Sequence, residues 1–345
     1  MSTYEIAKKN MDPAAPQLSG NTRSYCRVLR DTTEVQKKDR YGEEGLEGIV
    51  EDLCRPSPST DRGVPGGVWK HHTLPSRDAL VTLVEMLRGV FFPGYFGPQD
   101  VGPHSIHFHV GSTLDRVAGL IEDQILRGLC FACELHLDNC RECLPRSRQI
   151  TSAFLKRLPF IKQMLQTDVR AAFEGDPAAT SPDEAVFCYP GIMAVTSYRV
   201  AHELWDLEVP LIPRMITEHA HSITGIDIHP GARIGESFFI DHGTGVVIGE
   251  TCIIGEKVRI YQGVTLGARS FPLDEQGKPI KGVDRHPVVK DGVVIYSGAT
   301  LLGRIVIGQN SIIGGNVWLT RDVPGNSRVT QTRAREETFE AGSGI

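Results

Sequence analysis

The sequence predicts an α+β protein in which a helical half comes before a solenoid of stacked parallel β-turns. Two observations carry this prediction. Aliphatic residues return at every sixth position through the last third of the chain, a period that fits neither a helix nor an alternating strand. Upstream, apolar residues follow the spacing of amphipathic helices. A chain of 345 residues, 40% of them hydrophobic, can build a sizeable core in two structural parts.

Charge and apolar-run length argue against several classes of protein. The net charge is near -5, so there is no basic surplus for nucleic acid or an anionic membrane. No apolar run approaches the roughly 18 residues that span a bilayer, and the start of the chain lacks a secretory signal pattern. We therefore expect a cytoplasmic protein whose 8 cysteines are reduced.

The N-terminal half divides into an arm and a helical region. Residues 1–75 are polar and interrupted by proline and glycine, which predicts a loosely ordered arm. Residues 76–224 form the predicted helical domain. Apolar faces indicate one helix from about Ser76 and another around residues 114–125, with further helices over 161–173 and 193–205.

Four cysteines in the helical region form two C-x-x-C motifs. They are Cys130, Cys133, Cys140 and Cys143. Four thiolates could hold a tetrahedral Zn²⁺ ion. Alternatively, all four fall on one face at helical spacing, where cysteine packs as a small hydrophobic residue. Only six residues separate the two motifs, which is short for a zinc ribbon, so packing is the favoured interpretation.

The predicted solenoid covers residues 225–324. Its repeat positions are Ile248, Ile254, Ile260, Leu266, Val289, Ile295, Leu301, Ile307, Ile313 and Leu319. Each stacked turn buries one such side chain per flat face. The pattern is disturbed twice: the frame shifts by two residues around His242, which predicts a bulge, and the repeat stops for a loop over 267–288. Bulges and loops that interrupt a rigid stack of coils are favourable places for binding residues.

The residues at these two disturbances suggest acid–base chemistry. His242 offers an imidazole beside a carboxylate, the arrangement of an orientable general base. Either Asp227 or Asp241 could fix the ring tautomer and stabilise the imidazolium. Arg285, at the end of the loop, carries a planar charged fork that suits a substrate carboxylate. Together they predict proton abstraction from a small zwitterion, followed by attack on an acyl carbon.

Four segments closely resemble serine O-acetyltransferases. They are GIDIHPGA at 225–232, DHGTGVVIGET at 241–251, GVTLG at 263–267 and RHP at 285–287. That family transfers the acetyl group of acetyl-CoA to the hydroxyl of L-serine, which makes O-acetylserine for cysteine synthesis. The resemblance covers residues 175–322 and is more specific than the hexapeptide repeat, which many acyltransferases share.

The resemblance implies a fold, an assembly and residue roles. The solenoid would be a left-handed parallel β-helix behind an N-terminal α-helical domain, assembled as a homotrimer or as a dimer of trimers. His242 would deprotonate the serine hydroxyl and Asp227 would orient it, with no metal required. Asp241 would receive the substrate amine, while Arg285 and His286 would hold the carboxylate.

For acetyl-CoA, the resemblance implies a groove between neighbouring prisms, met largely by backbone groups. The matching positions are Gly267, Ala268, Ser297 and Gly315. Small residues suit such a close approach, although each could equally be an ordinary turn residue of the solenoid.

Two departures from the family pattern affect the serine site. Many members follow Asp-Pro-Ala with a second carboxylate, but the matching position here is Thr180. Asp176, Asp183 or Glu184 could take over, and Asp176 is the predicted ligand. The loop over 267–288 is also long, and it could be either a lid over the thioester or a surface insertion.

The tail and two rival functions complete the predictions. Residues 325–345 are expected to be a flexible tail ending in Ile345. The resemblance implies that Ile345 enters the active site of O-acetylserine sulfhydrylase; a disordered tail that happens to end in isoleucine is the alternative.

One rival function is that of another hexapeptide acyltransferase, acting on a sugar or a different amino acid. The other is a metal hydratase of the γ-carbonic-anhydrase type, which needs three histidines around Zn²⁺. The candidate histidines are His219, His221, His229, His242 and His286.

Overall fold

The chain consists of two compact units, Met1–Lys70 and His71–Ile345. The computed structural model describes residues 45–54, 74–98, 101–133, 142–270 and 272–332. In the first unit the described residues form helix α1 (Gly45–Cys54), which lies within the segment predicted as a loose arm. All other described elements belong to the second unit, where helices come first and a β-solenoid follows.

The helices of the second unit include every helix that the sequence predicts. They are α2 (Arg77–Phe91), α3 (Ile106–Ala132), α4 (Cys143–Gly175), α5 (Pro182–Cys188), α6 (Pro190–Asp206) and α7 (Ile212–Thr224). The prediction of a helix over 161–173 was too short, because α4 continues through Pro159, a residue that usually ends a helix. Two short helices, α5 and α7, were not predicted. Among the described residues, no helix is long and apolar enough to cross a membrane.

Amphipathic faces hold the helices together. Leu80, Leu83 and Leu87 of α2 are almost completely buried, as are Ile121 and Ile125 of α3. The two helices pack against each other, and each fully buried side chain of this kind contributes roughly 1.5–3 kcal/mol. Ser76 caps α2 by accepting a hydrogen bond from the amide of Ala79 at 3.3 Å, where the sequence predicts the helix to begin.

Fourteen short strands among the described residues form three parallel sheets. They are β1 (Asp227–Ile228), β2 (Arg233–Ile234), β3 (Phe239–Asp241), β4 (Val247–Ile248), β5 (Ile253–Ile254), β6 (Arg259–Tyr261), β7 (Thr265–Gly267), β8 (Val288–Val289), β9 (Val294–Ile295), β10 (Thr300–Leu302), β11 (Val306–Ile307), β12 (Ile312–Ile313), β13 (Trp318–Leu319) and β14 (Arg328–Val329). The sheets run β1-β4-β7-β10-β13, β2-β5-β8-β11 and β3-β6-β9-β12-β14. Each coil therefore gives one strand to each face of a three-sided prism, which confirms the predicted parallel β-helix and is consistent with its left-handed form.

The hexapeptide repeat produces the core of the prism. Ile248, Leu266 and Leu301 lie directly above one another in the first sheet, through the pairings β4–β7 and β7–β10. All three are buried, with at most 1% of their surface exposed. One aliphatic side chain from every face of every coil thus fills the interior, as the repeat predicts.

A buried ion pair fastens the helices to the first coil of the prism. Arg199 of α6 donates two hydrogen bonds to Asp168 of α4, at 2.6 and 2.8 Å. Arg199 also donates to the carbonyls of Ile234 and Gly235, and the amide of Phe238 donates to Asp168 at 2.9 Å. Both charges are buried but fully hydrogen-bonded, so the pair fixes how α4 and α6 meet the β-helix.

Candidate active site

His242 lies on a corner of the prism that departs from the repeat. Ile248 follows Ile240 by eight positions instead of six, and the two extra residues form a tight turn in which His242 has φ of 56° and Gly243 has φ of 85°. A Cβ on Gly243 would come within 2.9 Å of the Ile240 side chain, so this turn requires glycine. The bulge predicted at His242 is therefore confirmed.

The ring of His242 is open to solvent. Its side chain is 72% exposed, whereas Asp241 is only 15% exposed. The Nε2 atom of His242 lies 3.9 Å from Oδ1 of Asp241, within electrostatic reach but too far for a hydrogen bond. The histidine can therefore reach a bound molecule, while the neighbouring carboxylate faces the protein side of the same corner.

Asp176, at the end of α4, lies near His242. Its Oδ2 accepts a 2.6 Å hydrogen bond from the Tyr189 hydroxyl, and its Oδ1 accepts a 2.8 Å bond from the Ala178 amide. These bonds hold the pKa of Asp176 below its usual value, and the charges of His242 and Arg259 act in the same direction. No sequence signal singles out Tyr189 as the partner of Asp176.

The other acidic residues considered for the serine site have different partners. Glu184 accepts hydrogen bonds from the amide and the hydroxyl of Thr180, at 2.7 and 2.6 Å. Asp183 accepts a short hydrogen bond from the hydroxyl of Tyr95. Of the three carboxylates that could replace a missing one at Thr180, Asp176 is thus the one in electrostatic contact with His242.

Arg285 and His286 lie on a different corner, where the long loop returns to the prism. Arg285 donates to Oε2 of Glu250 at 2.6 Å. His286 is almost completely buried, and its Nδ1 accepts a hydrogen bond from the amide of Thr251 at 3.1 Å. Arg304 donates to the carbonyl of His286 at 3.0 Å. Glu250 and Thr251 are part of the 241–251 motif, but no sequence signal paired them with Arg285 and His286.

Two histidines on this second corner are held neutral. Burial, with a smaller effect from Arg285, lowers the pKa of His286 to about 4. Burial, with a smaller effect from Arg214, lowers the pKa of His229 to about 4. Because Nδ1 of His286 accepts a backbone hydrogen bond, its proton lies on Nε2. That atom is available to donate a hydrogen bond to an anion.

Asp227 lies at the start of the first coil, beside the end of α7. The ligand atoms of Asp227, His221 and Glu218 are all within 4.8 Å of one another. Burial raises the pKa of Asp227, and the nearby His221 opposes that rise. Among the hydrogen bonds of the described residues there is none between Asp227 and His242. The segments that carry the two residues are joined, however, because the amide of Gly245 donates to the carbonyl of Gly225 at 2.8 Å.

The predicted acetyl-CoA residues also divide between the two corners. Gly267 ends β7 and Ala268 begins the long loop, on the corner of Arg285. Ser297 and Gly315 lie on the corner of His242, in later coils, where the Ser297 carbonyl would be 3.1 Å from a Cβ on Gly315. The loop itself is exposed over most of its described length, and its end is fixed to Arg304 through a 3.0 Å hydrogen bond from that residue to Asp284.

One face of the prism separates the corner of His242 from the corner of Arg285. The sheet β1-β4-β7-β10-β13 lies between them. At about 3.3 Å per residue, the four-residue step from Gly245 to Gly249 spans on the order of 13 Å. In a single prism, His242 and Arg285 therefore lie at opposite edges of one sheet.

The cysteine motifs lie where α3 and α4 approach each other. Cys130 and Cys133 are at the end of α3, and Cys143 is the first residue of α4. Cys143 is buried in the apolar core, and Cys130 and Cys133 pack partly buried against it, an arrangement that both interpretations allow. Cys140 lies outside the described residues, as does the terminal Ile345, so the zinc and tail hypotheses stay predictions.

Comparison with known proteins gives a consistent result. Residues 286–321 match the family model "Bacterial transferase hexapeptide (six repeats)". A plasmid serine acetyltransferase of Synechococcus elongatus is 49% identical over 326 residues, which is 91% of this chain and 98% of the relative. A serine acetyltransferase of Mycobacterium tuberculosis is 49% identical over 160 residues, which is 46% of this chain and 66% of the relative.

A solved structure is similar to the fold described above. It is serine acetyltransferase 1 of Entamoeba histolytica in complex with L-cysteine, which is 41% identical. The match covers 75% of this chain and 88% of the other, with a TM-score of 0.63. The similarity therefore includes helices as well as the prism, because residues 225–324 alone would be a smaller share of the chain.

Proposed function

Because the chain belongs to the serine acetyltransferase family, we propose that His242 takes the proton from the hydroxyl of L-serine while that oxygen attacks the acetyl group of acetyl-CoA. The protein is an acyltransferase that acetylates serine. The products are O-acetylserine, a precursor for cysteine synthesis, and CoA. The new C–O bond forms as the C–S bond breaks, and the proton held by His242 neutralises the departing thiolate.

The accessibility of His242 is the observation that carries the proposal. A general base must come within hydrogen-bond distance of the proton that it removes, and this ring is 72% exposed at a corner fixed by glycine. Asp227 is the proposed orienting partner of the ring. The hydrogen bond from Gly245 to Gly225 supports this role, because it ties the turn that carries His242 to the start of the strand that carries Asp227.

The serine substrate is a zwitterion, and the two corners offer complementary charges. Asp241 and Asp176 are the proposed ligands of its ammonium group, beside His242. Arg285 and the Nε2–H group of His286 are the proposed ligands of its carboxylate. Since one face of the prism separates these groups in a single chain, the complete site requires the His242 corner of one copy and the Arg285 corner of another. This division supports a cyclic homo-oligomer.

Acetyl-CoA fits the same arrangement. The proposed contacts are Ser297 and Gly315 on one corner, with Gly267 and Ala268 on the other. Ser297 and Gly315 are in the coils beyond His242, and strands of neighbouring coils are about 4.8 Å apart. An extended thiol arm can therefore run along the prism from His242 toward these residues, between two copies. Small side chains leave room for that approach.

The proposal also includes an oligomeric state, a cellular location and a partner protein. We infer a homotrimer, with pairing of two trimers as a further step, and a cytoplasmic location. The tail that ends in Ile345 is proposed to bind O-acetylserine sulfhydrylase through its carboxylate and apolar side chain. Deletion of Ile345 should abolish that binding without changing the acetylation of serine.

The function is tested by following free thiol release from acetyl-CoA by the purified protein. L-serine should support turnover, and the same assay with homoserine or an amino sugar should give little product. A clear preference for either of those acceptors would instead identify a different hexapeptide acyltransferase. Loss of activity after treatment with a chelator would contradict the metal-free mechanism.

A further inference from the structure

We propose that Tyr189 is a positioning residue of the serine-binding site, whose hydroxyl holds the carboxylate of Asp176 in place for the substrate ammonium group. The inference rests on the proposed function and adds a residue that the family resemblance does not supply. Tyr189 acts through Asp176, so it need not touch the substrate itself.

The contacts of Asp176 leave little freedom to its carboxylate. One oxygen accepts the Tyr189 hydroxyl at 2.6 Å and the other accepts the Ala178 amide at 2.8 Å. An ionised carboxylate has about four lone-pair sites, so two remain for a ligand after these bonds are made. The carboxylate is thus fixed in orientation but still able to accept from an ammonium group.

The position of Tyr189 is itself fixed by the start of α6. Tyr189 is the N-cap of this helix, and Pro190 is its first residue. A Cβ on Gly191 would lie 2.5 Å from the carbonyl oxygen of Ile240, so the helix begins in direct contact with β3. Asp241 is the next residue of that strand. The tyrosine therefore bridges two parts of the site, the end of α4 and the strand that leads to His242.

The charges around Asp176 fit an ammonium ligand. Tyr189 lies within electrostatic range of Asp176, Glu184 and Asp241. Arg259 supplies a positive charge near Asp176. Burial and the hydrogen bond to Asp176 raise the pKa of Tyr189, which keeps the phenol protonated and acting as a donor. Asp241 adds a second negative group near Tyr189, so the two carboxylates together suit one substrate cation.

The test uses Tyr189→Phe, which removes one hydroxyl and keeps the ring. We expect its KM for serine to rise about 5- to 20-fold, since a hydrogen bond to a charged group is lost. The KM for acetyl-CoA should stay within about twofold of the wild-type value. Tyr95→Phe is the matched control, because it removes another tyrosine-to-aspartate hydrogen bond, the one to Asp183. That variant should keep the wild-type KM for serine.

A double-mutant cycle separates positioning from a merely structural role. Asp176→Asn should raise the KM for serine, and adding Tyr189→Phe should change it by no more than about twofold, because the tyrosine acts through that carboxylate. Additive effects would overturn the inference. So would an unchanged KM for Tyr189→Phe in an active enzyme, or a rise in Tyr95→Phe alone, which would assign the role to Asp183. If the wild-type protein releases no CoA with serine, the proposed function fails and the inference fails with it.

Discussion

Gly249 allows His286 to occupy its place in the proposed carboxylate site, and Gly249→Ala should displace that ring. Gly249 does not have a positive φ, so its backbone accepts alanine. The added Cβ, however, would lie 2.7 Å from Cγ of His286 and closer still to the outer atoms of the ring, whereas ordinary contacts begin near 3.4 Å. The closest approach is 2.1 Å, to Cδ2, so this side of the ring must move by about 1.3 Å to reach an ordinary contact distance.

Such a movement breaks the contacts that orient the imidazole. Nδ1 of His286 accepts from the amide of Thr251 at 3.1 Å and lies 2.9 Å from the Thr251 hydroxyl. A displacement of this size takes both contacts beyond hydrogen-bonding distance. Two lost hydrogen bonds and local overpacking should together lower the free energy of unfolding by about 1–3 kcal/mol. Since Nε2 of the ring would no longer point at the substrate, the KM for serine should rise about tenfold or more.

Steady-state kinetics and denaturant unfolding measure the two effects separately. Gly255→Ala is the control, because its Cβ would lie 2.8 Å from the backbone nitrogen of Asp291, on another corner. It should destabilise the fold by a similar amount and leave the KM for serine unchanged. A Gly249→Ala enzyme with a wild-type KM for serine, or equal changes in KM for both variants, would refute the proposed role of His286.

Three further results are expected. His242→Ala should lower kcat by about 100- to 10,000-fold with little change in the Kd for CoA, as measured by calorimetry; near-normal turnover would exclude His242 as the base. Burial lowers the pKa values of His229 and His286 to about 4 in the folded protein. Both rings therefore take up protons when the chain unfolds below about pH 6.5, and the free energy of unfolding should fall as the pH drops from about 6.5 to 4. The melting temperature should therefore decrease across that window, and less so in His286→Gln; equal pH dependence would argue against a neutral buried ring. Arg199→Ala should cost about 3–5 kcal/mol of unfolding free energy, because it leaves Asp168 buried and unpaired; a loss below 1 kcal/mol would contradict that role.

The repeat made the prism predictable, because its information is local and periodic. Every sixth side chain marks a buried position, and the eight-residue step from Ile240 to Ile248 marks the corner of His242. The prediction of the helices was less complete, because α5 is only 7 residues long and α4 continues through Pro159. In both cases tertiary packing outweighs the local signal.

The partners in the site could not be predicted from sequence spacing alone. Tyr189 is 13 positions from Asp176, Arg285 is 35 from Glu250, and neither separation corresponds to a helical or strand period. The division of the proposed site between two corners also depends on the bulge and the long loop, which displace the repeat. The residue types of the proposed site follow from acid–base chemistry, whereas their neighbours depend on how the coils stack.

The central claim, that the site is completed by two copies of the chain, is tested most directly by complementation. His242→Ala and Arg285→Ala chains with different tags are co-expressed, and mixed oligomers are isolated through both tags. Each variant alone should be inactive. In a cyclic trimer with both kinds of chain, one interface in three joins an intact His242 corner to an intact Arg285 corner, so about one third of wild-type activity should return. Mixed oligomers as inactive as the single variants would contradict a shared site.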